Sequence, residues 1–120
     1  MSQTAGSKLV LWLGIIAILA TGIIHFIEAP GAFSEGTYEA WLFSLNGLAA
    51  MIIAIGMYLK KPWGWNLGLV LAAATIALYV MSRTIGLPGL DPEPEEWLEP
   101  LGVASLIVEG LFIILFFKRK

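Results

Sequence analysis

Glu109 is the residue whose chemistry fits its surroundings least, because its carboxyl group lies within the apolar stretch 100–117. A carboxylate at the depth of the hydrocarbon is costly, and such residues usually face a cavity or a partner. Glu109 could be protonated, form an ion pair with Arg83, or coordinate a cation. A purely structural interpretation also stays open, in which a protonated Glu109 is hydrogen-bonded to Asn46 or Ser105 as part of the packing.

A second pair with chemical capacity is His25 and Glu28, which are three residues apart and therefore share one face of a helix. Such a pair can supply two ligands to one metal ion, for which copper and zinc are the candidates. It can also relay protons, because histidine titrates near neutrality. The structural alternative is an interfacial His25 hydrogen-bonded to Glu28 or to a loop carbonyl. With one His and no Cys, the chain cannot hold a bis-His haem alone or a zinc-finger type of site.

Arg83 follows the third apolar stretch, and its guanidinium can form a forked pair with a carboxylate. We expect Glu28 or Glu109 as its partner, with snorkelling to the lipid headgroups as the alternative. The stretch 91–96 after it is acidic and rich in proline. It could attract cations or a basic partner, but we interpret it as a solvated cap, in which Pro94 or Pro100 starts a helix.

Four apolar runs must position these residues. The chain has 120 residues, of which 58% are hydrophobic and 13% charged, with a mean hydropathy of +0.84. This composition excludes a soluble domain, a disordered chain and a nucleic-acid binder. Crossing a bilayer takes about 20 apolar residues, and the runs of that size are about 8–29, 38–59, 62–82 and 100–117. We predict a single all-α transmembrane domain in the lipid bilayer, a four-helix bundle with short loops and an outer loop at 83–99. Pro30 and Gly31 are predicted to end the first helix.

The basic residues predict the orientation of this bundle. Six of the seven fall on one side of a four-span topology, and Arg83 alone falls toward the other. The positive-inside rule therefore predicts cytoplasmic N and C termini in a multi-pass protein of the plasma (inner) membrane. Eight of the nine acidic residues lie at or beyond the opposite ends of the helices, and Glu109 is the exception.

Stripes of small and polar residues mark the helix faces that approach each other, because lipid solvates large apolar side chains equally well on any face. Asn46 and Glu109 lie roughly 12 Å below the outer ends of their helices, at about 1.5 Å of rise per residue. The polar groups therefore occupy the outer half of the bundle. The predicted ligand or metal residues are His25, Glu28, Asn46, Arg83 and Glu109, with Thr21, Tyr79, Ser82 and Ser105 in support.

Residues near the helix ends carry a resemblance to known proteins. His25 and Pro30 close the first helix, Ser82 to Pro88 follow the third in the pattern S-R-T-x-G-L-P, and the fourth opens at 99–102 and carries Glu109. The chain resembles a family of small four-span bacterial and archaeal membrane proteins over nearly its whole length. The family has no established activity, so the resemblance implies the fold and the importance of these polar residues only.

Three functions are compatible with this pattern. The first is a metal- or small-ligand-binding site in the outer half of the bundle, for copper, zinc or a quinone-like headgroup. The second is a non-catalytic accessory or assembly subunit of a larger membrane complex, possibly a redox complex, or a homo-oligomer. The third is a proton or ion pathway, which is weakened because no polar residues continue from Glu109 to the inner side. We do not expect an enzyme, because nothing supplies an activated nucleophile. Small multidrug transporters also have four spans, but they carry their essential Glu in the first helix.

Overall fold

The computed structural model describes residues 5–119, and this part of the chain is helical without strands. Four long helices follow one another along the chain: α1 (Ala5–Glu35), α2 (Glu39–Tyr58), α3 (Pro62–Arg83) and α4 (Pro100–Lys118). A single 3-10 turn, Pro94–Glu96, lies in the connection between α3 and α4. All four long helices are apolar and long enough to cross a membrane. The predicted all-α membrane four-helix fold is confirmed.

The helices form an elongated bundle in which each one packs against two neighbours. α1 contacts α2 and α4 along its length, and α3 contacts the same two helices from the opposite corner. Because the chain reverses at every connection, the bundle has two distinct ends. We call the end with the 84–99 connection the acidic end, and the end with Lys60, Lys61 and Arg119 the basic end.

The first helix runs farther than its sequence predicts. α1 continues through Pro30 and Gly31 to Glu35, so the prediction that these two residues end it is wrong. Pro30 lies on the exposed side of the helix, where the backbone bond that it cannot make is least costly. Ala29 and Ala32 on the other side are buried against the bundle, and this packing holds the turn helical.

The true stop is Gly36, which adopts a left-handed φ of 73°. Its N–H bonds the carbonyl of Phe33 at 3.1 Å, and the next N–H, that of Thr37, bonds Ala32 at 3.3 Å. Glycine is the residue that adopts this conformation most readily, and it commonly ends helices in this way. The other three helices begin and end within one residue of the predicted bounds. Pro94 and Pro100, both offered as helix starts, each begin one.

The half of the bundle nearer the basic end is filled by apolar side chains. Its centre is formed by Ile18, Ile53, Met57 and Phe112, each at most 4% exposed. Close approach of the helices makes this packing possible. At Gly64, an added Cβ would lie 2.7 Å from the backbone nitrogen of Met57, so α2 and α3 meet there through their backbones.

We predict that Gly64→Ala destabilises the bundle by about 1–3 kcal/mol, the usual cost of overpacking. The new methyl group would meet backbone atoms of Met57 and Gly56, which cannot rotate away as a side chain can. Reversible unfolding in mixed detergent micelles measures the change. Gly110→Ala in α4 is the matched control, because nothing lies within 4 Å of a Cβ there and alanine favours a helix more than glycine. Equal destabilisation by both substitutions would contradict the close α2–α3 contact.

Candidate functional site

A cavity of about 310 Å³ opens between the four helices at the acidic end. Four of the five predicted ligand residues line it: His25 and Glu28 from α1, Asn46 from α2 and Arg83 from α3. Three of the four predicted supporting residues, Tyr79, Ser82 and Ser105, also line it. The remaining polar lining side chains are those of Glu35, Glu39, Thr75, Glu93, Glu96 and Glu99. The polar groups that the sequence places at one level therefore do surround one space.

Glu109 lies next to this cavity rather than in its wall, and only 1% of its surface is exposed. Its Oε2 accepts a hydrogen bond from the hydroxyl of Thr21 at 2.5 Å and another from the hydroxyl of Ser105. The structural interpretation predicted Asn46 or Ser105 as a partner of Glu109. Ser105 is one, whereas Asn46 is bonded to Thr75. Glu109 Oε1 is buried without a hydrogen-bond partner among residues 5–119. The carboxyl group thus joins α4 to α1 directly beside the cavity.

The orientation of His25 follows from its contacts. Nδ1 lies 2.7 Å from the carbonyl oxygen of Thr21, and because a carbonyl only accepts, Nδ1 carries a proton and donates. In a neutral ring, Nε2 is then an acceptor. This atom lies 3.9 Å from Oε1 of Glu28, which is also an acceptor when ionised. At 3.9 Å the two atoms are too far apart to share a proton in a hydrogen bond, so the pair offers two acceptors to a donor in the cavity.

The predicted copper or zinc site gains no support from the geometry. His25 and Glu28 lie near each other, but within residues 5–119 no group of three or more His, Asp or Glu side chains is arranged to hold a metal ion. Protein sites for these metals generally supply at least three ligands. Two donors at one helix face therefore do not make a metal site by themselves.

Asn46 links α2 to α3 at the cavity wall. Its Nδ2 donates to the hydroxyl of Thr75 at 2.8 Å, and that hydroxyl donates to the carbonyl of Leu71 at 2.7 Å. Thr75 was not among the site residues predicted from the sequence. It lies four residues before Tyr79 and therefore on the same face of α3, which was the available signal. Asn46 is thus held in place by the neighbouring helix.

Arg83 has partners other than those predicted. Its guanidinium carbon lies 3.8 Å from the centre of the Tyr79 ring, and Nη1 donates to the hydroxyl of Ser82 at 2.7 Å. Nε donates to the backbone carbonyl of Glu96 at 3.3 Å. Within residues 5–119, the only contact below 4.0 Å between a cationic or His nitrogen and a carboxylate is that of His25 with Glu28. The predicted ion pair of Arg83 with Glu28 or Glu109 is therefore wrong.

Besides the bond from Arg83 to Glu96, three further hydrogen bonds hold the 84–99 connection at the cavity. The hydroxyl of Tyr79 donates to the carbonyl of Trp97 at 2.6 Å, and the N–H of Glu93 bonds the carbonyl of Ser82 at 2.8 Å. A third tie joins the hydroxyl of Tyr38 to the carbonyl of Pro88 at 2.6 Å. These bonds fold the connection back toward the helix ends, so that its acidic side chains reach the cavity.

The rim of the cavity is strongly acidic. Arg83 is the single cationic residue that lines it, whereas six lining residues are acidic: Glu28, Glu35, Glu39, Glu93, Glu96 and Glu99. The interpretation of the stretch 91–96 as a solvated cap holds for Asp91, Glu93 and Glu95, which are exposed, and Glu93 also lines the cavity together with the half-buried Glu96. Desolvation raises the pKa of Glu93 above its ordinary value, and the neighbouring charge of Glu96 raises it further. Carboxylates from three elements thus crowd around one space.

We predict that Thr21→Val destabilises the protein by about 1–3 kcal/mol, because Glu109 loses a buried hydrogen-bond donor. The measurement is unfolding in mixed micelles. The matched control is Thr84→Val, which removes an exposed hydroxyl bonded to the Val80 carbonyl and is expected to change stability by less than about 0.5 kcal/mol. In a Glu109→Leu background, Thr21→Val should cost less, since its carboxyl partner is gone. The same cost in both backgrounds would show that the bond to Glu109 does not stabilise the bundle.

Comparison with known proteins finds no match: no family model matches the chain, and no curated protein or solved structure is significantly similar to it. The resemblance to small four-span membrane proteins, carried by the S-R-T-x-G-L-P stretch, therefore stays a prediction.

Proposed function

We propose that this small polytopic membrane protein binds a small organic ammonium ligand in the cavity at the acidic end. One observation carries the proposal: the cavity gathers six carboxylates beside the acceptor Nε2 of His25, against one guanidinium. The four apolar helices are the scaffold that brings these groups together.

The charge of the lining favours a cation. A cleft lined by one sign of charge, with walls of low dielectric, concentrates counter-ions. Arg83 opposes this field with only one positive charge, and its guanidinium is held in place by the Tyr79 ring, Ser82 and the Glu96 carbonyl. An anionic ligand would have to approach six carboxylates to reach it. The electrostatic balance therefore supports a cationic ligand over an anionic one.

The size and chemistry of the cavity favour a molecule over a bare metal ion. Its volume of about 310 Å³ is at the lower end of the range of small-molecule pockets. Phe43 and Leu78 contribute apolar lining next to the acceptors of His25 and Glu28. An alkylammonium group donates hydrogen bonds to such acceptors while its carbon chain contacts the apolar wall. A quinone headgroup fits less well, because its carbonyl oxygens need donors, and carboxylates supply none when ionised.

We predict that butylammonium binds more tightly than butanol, and butanol more tightly than butyrate, three probes of similar length and different charge. Isothermal titration of the protein in lipid nanodiscs measures the order. Glu28→Gln should weaken butylammonium binding by roughly tenfold, because a hydrogen bond to a charged group is lost. Glu95→Gln is the matched control, since it removes an acidic side chain that does not line the cavity. Butyrate binding as tightly as butylammonium would refute the proposal, and so would equal losses in the two variants.

We further infer that the acidic end faces the exterior and that both termini are cytoplasmic. Of the six basic residues within 5–119, five lie at the basic end or at the helix termini there, and this bias supports the orientation. The cavity would then collect its ligand from outside the cell or from the periplasm.

The chain has no cysteine, so single-cysteine variants can report the orientation cleanly. We expect Leu98→Cys to react with a membrane-impermeant maleimide on intact cells, because Leu98 is 84% exposed in the 84–99 connection. Lys61→Cys at the basic end should react only after the membrane is opened. The reverse pattern would place the acidic end in the cytoplasm, and labelling of both sites on intact cells would indicate two orientations.

A further inference from the structure

A second cavity, of about 260 Å³, lies at the basic end of the bundle, away from the proposed ammonium site. Its rim carries three cationic residues, Lys60, Lys61 and Arg119. Its wall is formed by apolar residues, among them Leu11, Met57 and Trp65. The cavity thus combines concentrated positive charge with an apolar surface.

The guanidinium of Arg119 is held in position by its own helix. Its Cζ lies 4.0 Å from the centre of the Phe116 ring, and Nη1 donates to the Phe116 carbonyl at 2.6 Å. The ring of Trp65 in α3 lies 5.9 Å away. Since a guanidinium has five N–H donors, Arg119 keeps several for a ligand. Because it is already ordered, less conformational entropy is lost when it binds.

The two lysines extend from a turn whose backbone is fixed. Lys60 has a left-handed φ of 59°, which is uncommon for a residue other than glycine. Its N–H bonds the carbonyl of Met57, and the N–H of Lys61 bonds the carbonyl of Gly56, both at 2.9 Å. Pro62 then begins α3 at once. The tight turn therefore places two consecutive lysine side chains at the rim of the cavity.

The positive charge of this rim is not neutralised within the described chain. All nine acidic residues are Glu109 or residues at or near the acidic end. Among residues 5–119, no carboxylate lies within 4.0 Å of Lys60, Lys61 or Arg119. Within this part of the chain, three cations around one space thus have no acidic partner, and an anion would supply one.

We propose that this cavity binds a phosphate group with a net negative charge, such as the headgroup phosphate of an anionic phospholipid. Phosphate oxygens accept hydrogen bonds from arginine and lysine together. The cavity lies where membrane-crossing helices end, which is the depth of lipid headgroups, and basic pockets between such helices suit anionic headgroups. Its apolar wall would take the glycerol and upper acyl carbons. Inorganic phosphate presents the same group without these carbons.

Native mass spectrometry of the full chain, titrated with phosphatidylglycerol or phosphatidylcholine, tests the proposal. We expect phosphatidylglycerol to bind more tightly than phosphatidylcholine. In the double variant Lys61→Gln with Arg119→Gln, the affinity for phosphatidylglycerol should fall about fivefold for each charge removed. The matched control, Lys8→Gln with Lys118→Gln, removes two charges from the same end outside the cavity. Its loss should be much smaller, because neither Lys8 nor Lys118 lines the cavity.

Equal losses in the pocket and control variants, or equal binding of the two lipids, would overturn the proposal. Competition by inorganic phosphate separates the sources of the group: displacement of the lipid indicates that free phosphate suffices, and retention indicates the lipid headgroup. Thermal unfolding of both double variants confirms that they fold. If the double pocket variant does not fold, Lys61→Gln alone decides the question, because this side chain is exposed.

Discussion

The hydrogen bonds to Glu109 are the interaction on which the arrangement of the bundle depends. In lipid, buried polar groups must find partners inside the protein. Glu109 on α4 finds them in Thr21 on α1 and in Ser105 on its own helix. The carboxyl group lies where the apolar core ends and the polar cavity begins. Its hydrogen bonds therefore require α1 and α4 to meet at a particular height and rotation, which in turn brings His25 and Glu28 to the cavity wall.

The 84–99 connection gives this polar half its electrostatic character. By composition it is a solvated loop, and in isolation its carboxylates would repel each other into water. The stacking of Arg83 on Tyr79 and the bond from Tyr79 to the Trp97 carbonyl hold it against the helix ends. Carboxylates from the connection then face those of α1 and α2 across one space. Backbone carbonyls, rather than ion pairs, anchor the connection. This leaves its acidic side chains available to a ligand, except that Oε2 of Glu99 accepts a hydrogen bond from the N–H of Gly102 at the start of α4.

The two ends of the molecule are opposite in charge. The same separation of basic from acidic residues that orients a membrane protein therefore also gives the two cavities different linings. At one end, carboxylates surround polar side chains from the helices. At the other, lysines and an arginine surround an apolar wall. Between them lies the apolar core around Ile18, Ile53 and Phe112. This core separates the two cavities, so each opens at one end of the bundle.

The sequence by itself determined the number of helices, nearly all their bounds and the level at which polar residues cluster. These features depend on apolar length and helical spacing, which are local properties. The tertiary structure decided the end of α1, because burial of Ala29 and Ala32 outweighs the effect of Pro30. It also decided the partners of Arg83, Asn46 and Glu109, since several possible hydrogen-bond partners lay within reach of each. Hydrogen-bond geometry between helices selects one partner from such a set, and residue type and spacing do not encode that geometry.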